Sequence, residues 1–222
     1  MLQSLIFDMD GTLFQTEKIL ELSLDDTFFN HLRSLHLWDT VTPINTYREI
    51  MGLPLPKVWK ALLPNHSSEV RAQTDAYFLE RLIENIRSGK GALYPNVEKI
   101  FSYLKEYNYS IYIASNGLTE YLQAIVSYYN LNNWVTETFS IQQIQTLNKG
   151  DLVKTIIEKY DIKKAAVFGD CLSDIHAAKD NGLIAIGCNF DFAQEDELAQ
   201  ADFVINDLIE LKTSLPKMKI AY

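Results

Sequence analysis

The chain has 222 residues, 47% of them hydrophobic, and a formal net charge of −9. That length suits one large domain or a core with a smaller appendage. The acidic balance and the absence of any Lys/Arg cluster argue against a phosphate-neutralising nucleic-acid surface and against docking on anionic membranes.

The first apolar run, SLIF (4–7), reads as a short strand and leads into FDMDGTLF (7–14). Residues 16–88 then show no strand pattern. Leu20, Leu24, Phe28, Leu32 and Leu35 share one helical stripe, and Val70, Tyr77, Leu82 and Ile86 roughly repeat it. Pro54, Pro56 and Pro64 punctuate the middle, and RSGKGALYP (87–95) reads as an exit linker. Beyond it the runs SIYIA (110–114), AAVF (165–168), LIAIG (183–187) and FVI (203–205) are strand-like. They alternate with helical stretches at Val97–Tyr107, Thr119–Tyr129, Asp151–Tyr160 and Ser173–Asn181. Alternation of this kind predicts an α/β fold with a parallel sheet covered on both faces. The chain is therefore read as a core of residues 1–15 and 89–222, interrupted after its first strand by a helical insert of residues 16–88.

No apolar run approaches the roughly 20 residues of a membrane span, and no basic n-region precedes a long apolar stretch at the N-terminus. Cys171 and Cys188 stand outside any CxxC or Cys/His cluster. They are expected to be reduced packing thiols in a cytoplasmic protein.

The chemistry concentrates where strands end. Residues two apart in a strand point to the same side, so Asp8 and Asp10 can face one site while Met9 faces away. Gly11 permits an unusual backbone directly after them. Two carboxylates so placed are either solvated turn residues or the flanks of a cation. The second strand runs into Ser115, Asn116 and Gly117 ahead of a helix start. A hydroxyl and backbone N–H groups there make an anion site, although Ser-Asn-Gly is also an ordinary turn. Lys149, alone, reads as a surface charge before a helix. VFGDCLSD (167–174) ends another strand with Asp170 and Asp174, acids that either cap the following helix or offer oxygen to a hard cation such as Mg²⁺. Together these positions gather at strand carboxyl ends, where open α/β sheets bind ligands. Carboxylates for a metal, plus a hydroxyl, N–H groups and one Lys for an anion, suit phosphate with Mg²⁺.

Four stretches, DMDGT (8–12), Ser115, Lys149 and GDCLSD (169–174), resemble the motifs of the haloacid dehalogenase-like superfamily, in its order. The tail AAKDNGLIAIG…ELAQADFVINDLIEL resembles its last strands and helices, and the helical insert resembles its C1-type cap. The resemblance is to the phosphatase branch, with a Rossmann-like core. It implies Asp8 as nucleophile forming an aspartyl-phosphate, and Asp10 as general acid and then base. It implies Mg²⁺ on Asp8, the Asp10 carbonyl, Asp170 and Asp174. Ser115, with the Asn116 N–H, would hold the phosphoryl group, Lys149 would offset charge, and Thr12 and Lys57 complete the expected substrate-binding set. The implied partner is a small phosphorylated metabolite, selected by a cap that closes over the site.

Asp10 favours phosphate chemistry over carbon–halogen cleavage, because the dehalogenases lack that acid. Lys149 is followed by Gly150 where many relatives carry proline. The region after Gly52 has no arginine of the kind a sugar phosphomutase uses on a second phosphate; Lys57 is the nearest cation and Arg48 lies just before. A β-phosphoglucomutase-like mutase and a non-catalytic phospholigand binder are the alternative readings. His31, His36, His66 and His176 do not cluster, Trp38 and Trp59 are read as core of the insert, and Tyr103, Tyr107, Tyr128 and Tyr129 as helix packing. Substrate identity and oligomeric state stay open.

Overall fold

A computed structural model describes residues 2–50, 55–191 and 193–215. Its strands are β1 (Ser4–Phe7), β2 (Ser110–Ser115), β3 (Glu137–Ser140), β4 (Ala165–Gly169), β5 (Ile184–Cys188) and β6 (Phe203–Ile205). All pair in parallel, in the order β3-β2-β1-β4-β5-β6. Helices α1 (Glu17–Asp26), α2 (Ile44–Glu49), α3 (Leu55–Leu62) and α4 (Ser68–Arg87) follow β1. Then α5 (Val97–Glu106), α6 (Thr119–Tyr128), α7 (Lys149–Lys159), α8 (Leu172–Asp180) and the short α9 (Glu195–Leu198) alternate with the later strands.

Strand β1 is central and buried at every position. Its burial on both faces explains the unbroken apolar run. Phe7 lies opposite Phe168 of β4 in the register and stacks on it at 4.4 Å. On one side Phe101 of α5 reaches Phe7 at 5.2 Å, from a helix that buries Val97, Ile100, Phe101 and Leu104. That is the i, i+3, i+4, i+7 stripe of a helix packed by one face. A second layer gathers Ile6, Val167, Leu152, Ile156 and Ile175 between the sheet and helices α7 and α8. The chain builds the sheet outward from β1 through β2 and β3, then from β4 to β6 on the other side. The reversal falls between β1 and β4, and the crevice beyond their carboxyl ends is the place such sheets reserve for ligands.

Strand β3 was not expected. Its sequence, ETFS, has one apolar residue in four because it lies at the sheet edge. There Glu137 accepts hydrogen bonds from Lys159 Nζ (2.6 Å) and from the Tyr160 hydroxyl.

The chain forms two compact units, one of residues 16–91 and one of the segments on either side. Among its described residues the 16–91 unit has helices joined by turns and loops, and no strand. Trp59 is buried against Phe78 at 5.4 Å and donates from Nε1 to Asp75 (2.6 Å). Buried Asn85 of α4 donates to Ser23 Oγ of α1 (2.8 Å) and accepts from Lys90 Nζ (3.0 Å), a polar bolt through that bundle. The expected stripe through Leu35 breaks down. After α1 the chain runs through a π-helical segment, Thr27–Leu32, which adds a residue per turn and rotates the following positions. Ile19, Leu24, Phe28 and Leu32 are buried, but Leu35 is exposed. In α4 the buried positions are Thr74, Phe78, Leu82, Asn85 and Ile86, so Val70 and Tyr77 sit only at the margin of the face. Of the punctuating prolines, Pro54 lies outside the described residues. Tyr107 and Tyr128, expected to pack, are exposed. No described helix is long and apolar enough to cross a membrane.

Candidate active site

The ladder between β1 and β4 extends one residue past β1, with the Asp8 N–H donating to the Phe168 carbonyl (2.8 Å). This fixes the Asp8 backbone beside the end of β4, from which Asp170 emerges. The chain then turns tightly, the N–H groups of Leu13 and Phe14 both donating to the Met9 carbonyl (2.9 Å). Gly11 takes φ +75°, and a β-carbon there would fall 2.3 Å from Asp170 Oδ2. Glycine is required twice over, for the left-handed backbone and for the space.

Lys149, the first residue of α7, does not lie on the surface. It is 5% exposed, and its Nζ sits 2.6 Å from Asp8 Oδ1 and 2.5 Å from Asp174 Oδ1. Asn148 caps the helix by accepting from the Asp151 N–H (3.2 Å), which sets where α7 begins. Gly150 adopts the ordinary first turn of α7, and its carbonyl accepts from Nδ2 of Asn181, the residue that caps the end of α8 (2.9 Å). Asp174, 2% exposed in the first turn of α8, folds back so that its Oδ2 accepts from the Cys171 N–H (3.3 Å) and thiol (3.0 Å). The α8 N-terminus is further occupied by Glu197 of α9, whose Oε2 accepts from the Leu172 N–H (2.7 Å).

Gly169 leaves the space Asp174 occupies. A β-carbon at 169 would lie 1.9 Å from Asp174 Cγ. Gly169→Ala should therefore displace Asp174 from Lys149 and lower the thermal unfolding midpoint by roughly 5–10 °C, the effect of an overpacked buried site. A far-UV circular dichroism melt unchanged from wild type would show that Asp174 has room to move.

Three carboxylates and one ammonium in a buried site leave negative charge in excess. Burial pushes the Asp8 carboxyl well above its ordinary value; Lys149 pulls it back only in part, while Asp174, Asp170 and Asp10 add to the rise. Asp170 is pushed up to about 7, by burial and then by Asp174. Burial alone would lower the Lys149 ammonium, but Asp174 and Asp8 outweigh it and hold it above its ordinary value, so it keeps its proton. Asp170, Asp174 and the Cys171 sulfur offer donor atoms within 4.8 Å of one another. Burial, with Asp174 beside it, raises the Cys171 thiol and keeps it protonated. The usable donors are thus carboxylate oxygens whose charge is costly without a cation. That chemistry fits a hard ion such as Mg²⁺ and not zinc.

Thr12 is fully buried, and its hydroxyl donates to Asp170 Oδ1 at 3.5 Å. Ser115, 1% exposed at the end of β2, accepts from the Gly117 N–H (3.0 Å), which leaves its own hydroxyl hydrogen for another acceptor. Asn116 is exposed at the tip of this turn. The turn offers fewer N–H groups than its sequence suggests. That of Gly117 goes to Ser115, and that of Thr119, at the start of α6, donates to Gln142 Oε1 (2.8 Å). Ser140 Oγ secures the turn by donating to the Gly117 carbonyl (2.7 Å). Lys57 is exposed on α3, in the helical unit. His176 is exposed on α8, and His31 stacks on Tyr77 at 4.4 Å.

Sequence reasoning missed Tyr121. Its hydroxyl donates to Asp10 Oδ1 at 2.6 Å from the first turn of α6. The available signal was its place: an aromatic with a polar tip, one turn beyond the strand end that carries Ser115.

The phosphoglycolate phosphatase of Mannheimia succiniciproducens is 23% identical to this chain over 216 residues, covering 92% of this chain and 94% of that protein. Among solved structures, a predicted phosphoglycolate phosphatase from Haemophilus somnus superposes with a TM-score of 0.82 at 19% identity, covering 96% of this chain and 98% of that one. CbbY from Rhodobacter sphaeroides, solved in complex with phosphate, superposes with a TM-score of 0.77 at 20% identity, covering 95% and 96%. At such identities the structures establish a shared fold. The family model for haloacid dehalogenase-like hydrolases matches residues 2–182, from before β1 to the end of α8, and the chain belongs to that family.

Proposed function

We propose that this hydrolase is a Mg²⁺-dependent phosphatase that cleaves a small phosphomonoester through an aspartyl-phosphate on Asp8. The observation that carries the reading is the Lys149 ammonium held between Asp8 and Asp174 in a buried site. A carboxylate is a weak nucleophile, and phosphoryl transfer depends chiefly on positioning and charge. Lys149 orients Asp8 and presents positive charge where phosphoryl oxygens would gather.

The residues act in two halves. An Asp8 oxygen attacks phosphorus, the ester P–O bond breaks, and the leaving oxygen takes a proton from Asp10. Asp10, now a carboxylate, takes a proton from water, whose oxygen attacks phosphorus and frees Asp8. The Ser115 hydroxyl and the Asn116 N–H donate to phosphoryl oxygens throughout. Asp8, the Asp10 carbonyl, Asp170 and Asp174 are the groups that would hold Mg²⁺, which when bound supplies further neutralisation of phosphate charge. Residues 1–15 and 89–222 would form the catalytic core and residues 16–88 the cap that sets substrate choice.

The test is phosphate release from a panel of phosphoglycolate, sugar phosphates, nucleoside monophosphates and pyrophosphate, with Mg²⁺ and with EDTA. The similarity to phosphoglycolate phosphatases puts phosphoglycolate first. Release from one class, lowered at least about a hundredfold by EDTA, is expected. Folded protein that releases nothing from any member overturns the reading in favour of a mutase or a binder.

A further inference from the structure

Tyr121 is 5% exposed, and its ring is wedged against the turn that carries Ser115: a β-carbon on Gly117 would lie 3.1 Å from Tyr121 Cδ1. Its hydroxyl reaches from α6 to Asp10 Oδ1, 111 positions away in the chain, at 2.6 Å. Asp10 itself is half-buried, on the irregular loop just before Gly11. A short acidic side chain on such a loop has several rotamers open to it, and several point away from a reacting phosphate. The ring itself turns on only two torsions, and here it is buried against the Gly117 turn.

We propose that Tyr121 is a positioning residue for the acid–base carboxylate, holding Asp10 by Oδ1 so that Oδ2 exchanges the proton. This inference rests on the phosphatase reading. With Oδ1 engaged by the phenol, the leaving oxygen takes its proton from Asp10 Oδ2, and the attacking water later returns one to the same atom. The phenolic O–H bond stays intact in both halves, so Tyr121 contributes orientation and no proton. Its contact with the Gly117 turn also ties the acid–base group to the loop that holds Ser115. The two groups that meet opposite sides of the scissile P–O bond thereby share one support.

A positioned acid matters most when the leaving group is poor. The experiment compares kcat/KM, which reports steps through leaving-group departure, for the best alkyl phosphate of the panel and for p-nitrophenyl phosphate. Tyr121→Phe keeps the ring and removes only the hydroxyl. It should lower kcat/KM about ten- to a hundredfold on the alkyl phosphate, the loss expected for a hydrogen bond to a charged group. On the aryl phosphate, whose leaving group needs little protonation, the loss should be about twofold. In an Asp10→Asn background the same change should cost nothing further, because the group it orients is gone. Equal losses on both substrates, no loss on either, or a full additional loss beside Asp10→Asn would overturn the role of Tyr121 and leave the phosphatase reading standing. Wild-type protein silent on every member of the panel would overturn the phosphatase reading, and this inference with it; release from pyrophosphate alone would overturn this inference only.

Discussion

Asp8→Asn should lower phosphate release by about 10⁴-fold or more, the loss typical of removing a nucleophile, while the fold survives. An amide oxygen of nearly the same size fills the site but cannot form the acyl phosphate. Stability should hold or rise. Burial and three neighbouring acids all disfavour the Asp8 carboxylate, and only Lys149 favours it. Removing that charge relieves the site, and Lys149 keeps Asp174 at 2.5 Å. The site would then be one where activity is held at a cost in stability. Phosphate release and thermal melts on the same preparation check both halves. Substantial turnover in the variant would sink the mechanism; a large fall in melting temperature would mean that Asp8 is a structural anchor.

Lys149→Met should abolish turnover and also destabilise the protein. A methionine replaces the stem but leaves Asp8 and Asp174 buried without their cation. Breaking a buried pair in this way typically costs about 3–5 kcal/mol, which for a chain of this size is roughly 10 °C in thermal midpoint. The loss has a ceiling, because burial already pushes the Asp8 carboxyl up and, without Lys149 to pull it back, it can take a proton and shed its charge. The double variant with Asp8→Asn should therefore recover part of the lost stability and none of the activity. A single variant that melts with the wild type would show that the pair contributes nothing net to folding.

Much of what the sequence revealed is what burial and glycine constraints write into it. Strands β1, β2, β4 and β5 were legible because they are covered on both faces and read as apolar runs. Strand β3 was not, since at the sheet edge Glu137 is satisfied by Lys159 and Tyr160 and need not be apolar. The π-helical segment at Thr27–Leu32 defeated a 3.6-residue period, so Leu35 was placed inside and lies outside. In the site, Asp8, Asp170 and Asp174 stood out as acids at strand ends. Lys149 did not: a lone lysine gives no local sign that it will be buried, and only its motif neighbours singled it out. The Gly117 and Thr119 N–H groups looked available because their partners, Ser115 Oγ and Gln142 Oε1, are set by tertiary packing that no local pattern encodes. Tyr121 was missed for the same reason.

The central position of β1 has a consequence for how the protein is made. It is synthesised well before its neighbours β2 and β4, which begin at Ser110 and Ala165. Until those strands emerge, β1 is a short, largely apolar segment with both hydrogen-bonding edges unpaired, the condition that invites chaperones or aggregation. The Asp8–Lys149 contact spans 141 positions, so it forms only after the chain between them has been made and folded. The buried contact at Asp8 is thus completed late, when the sheet closes around a strand made well before both of its neighbours.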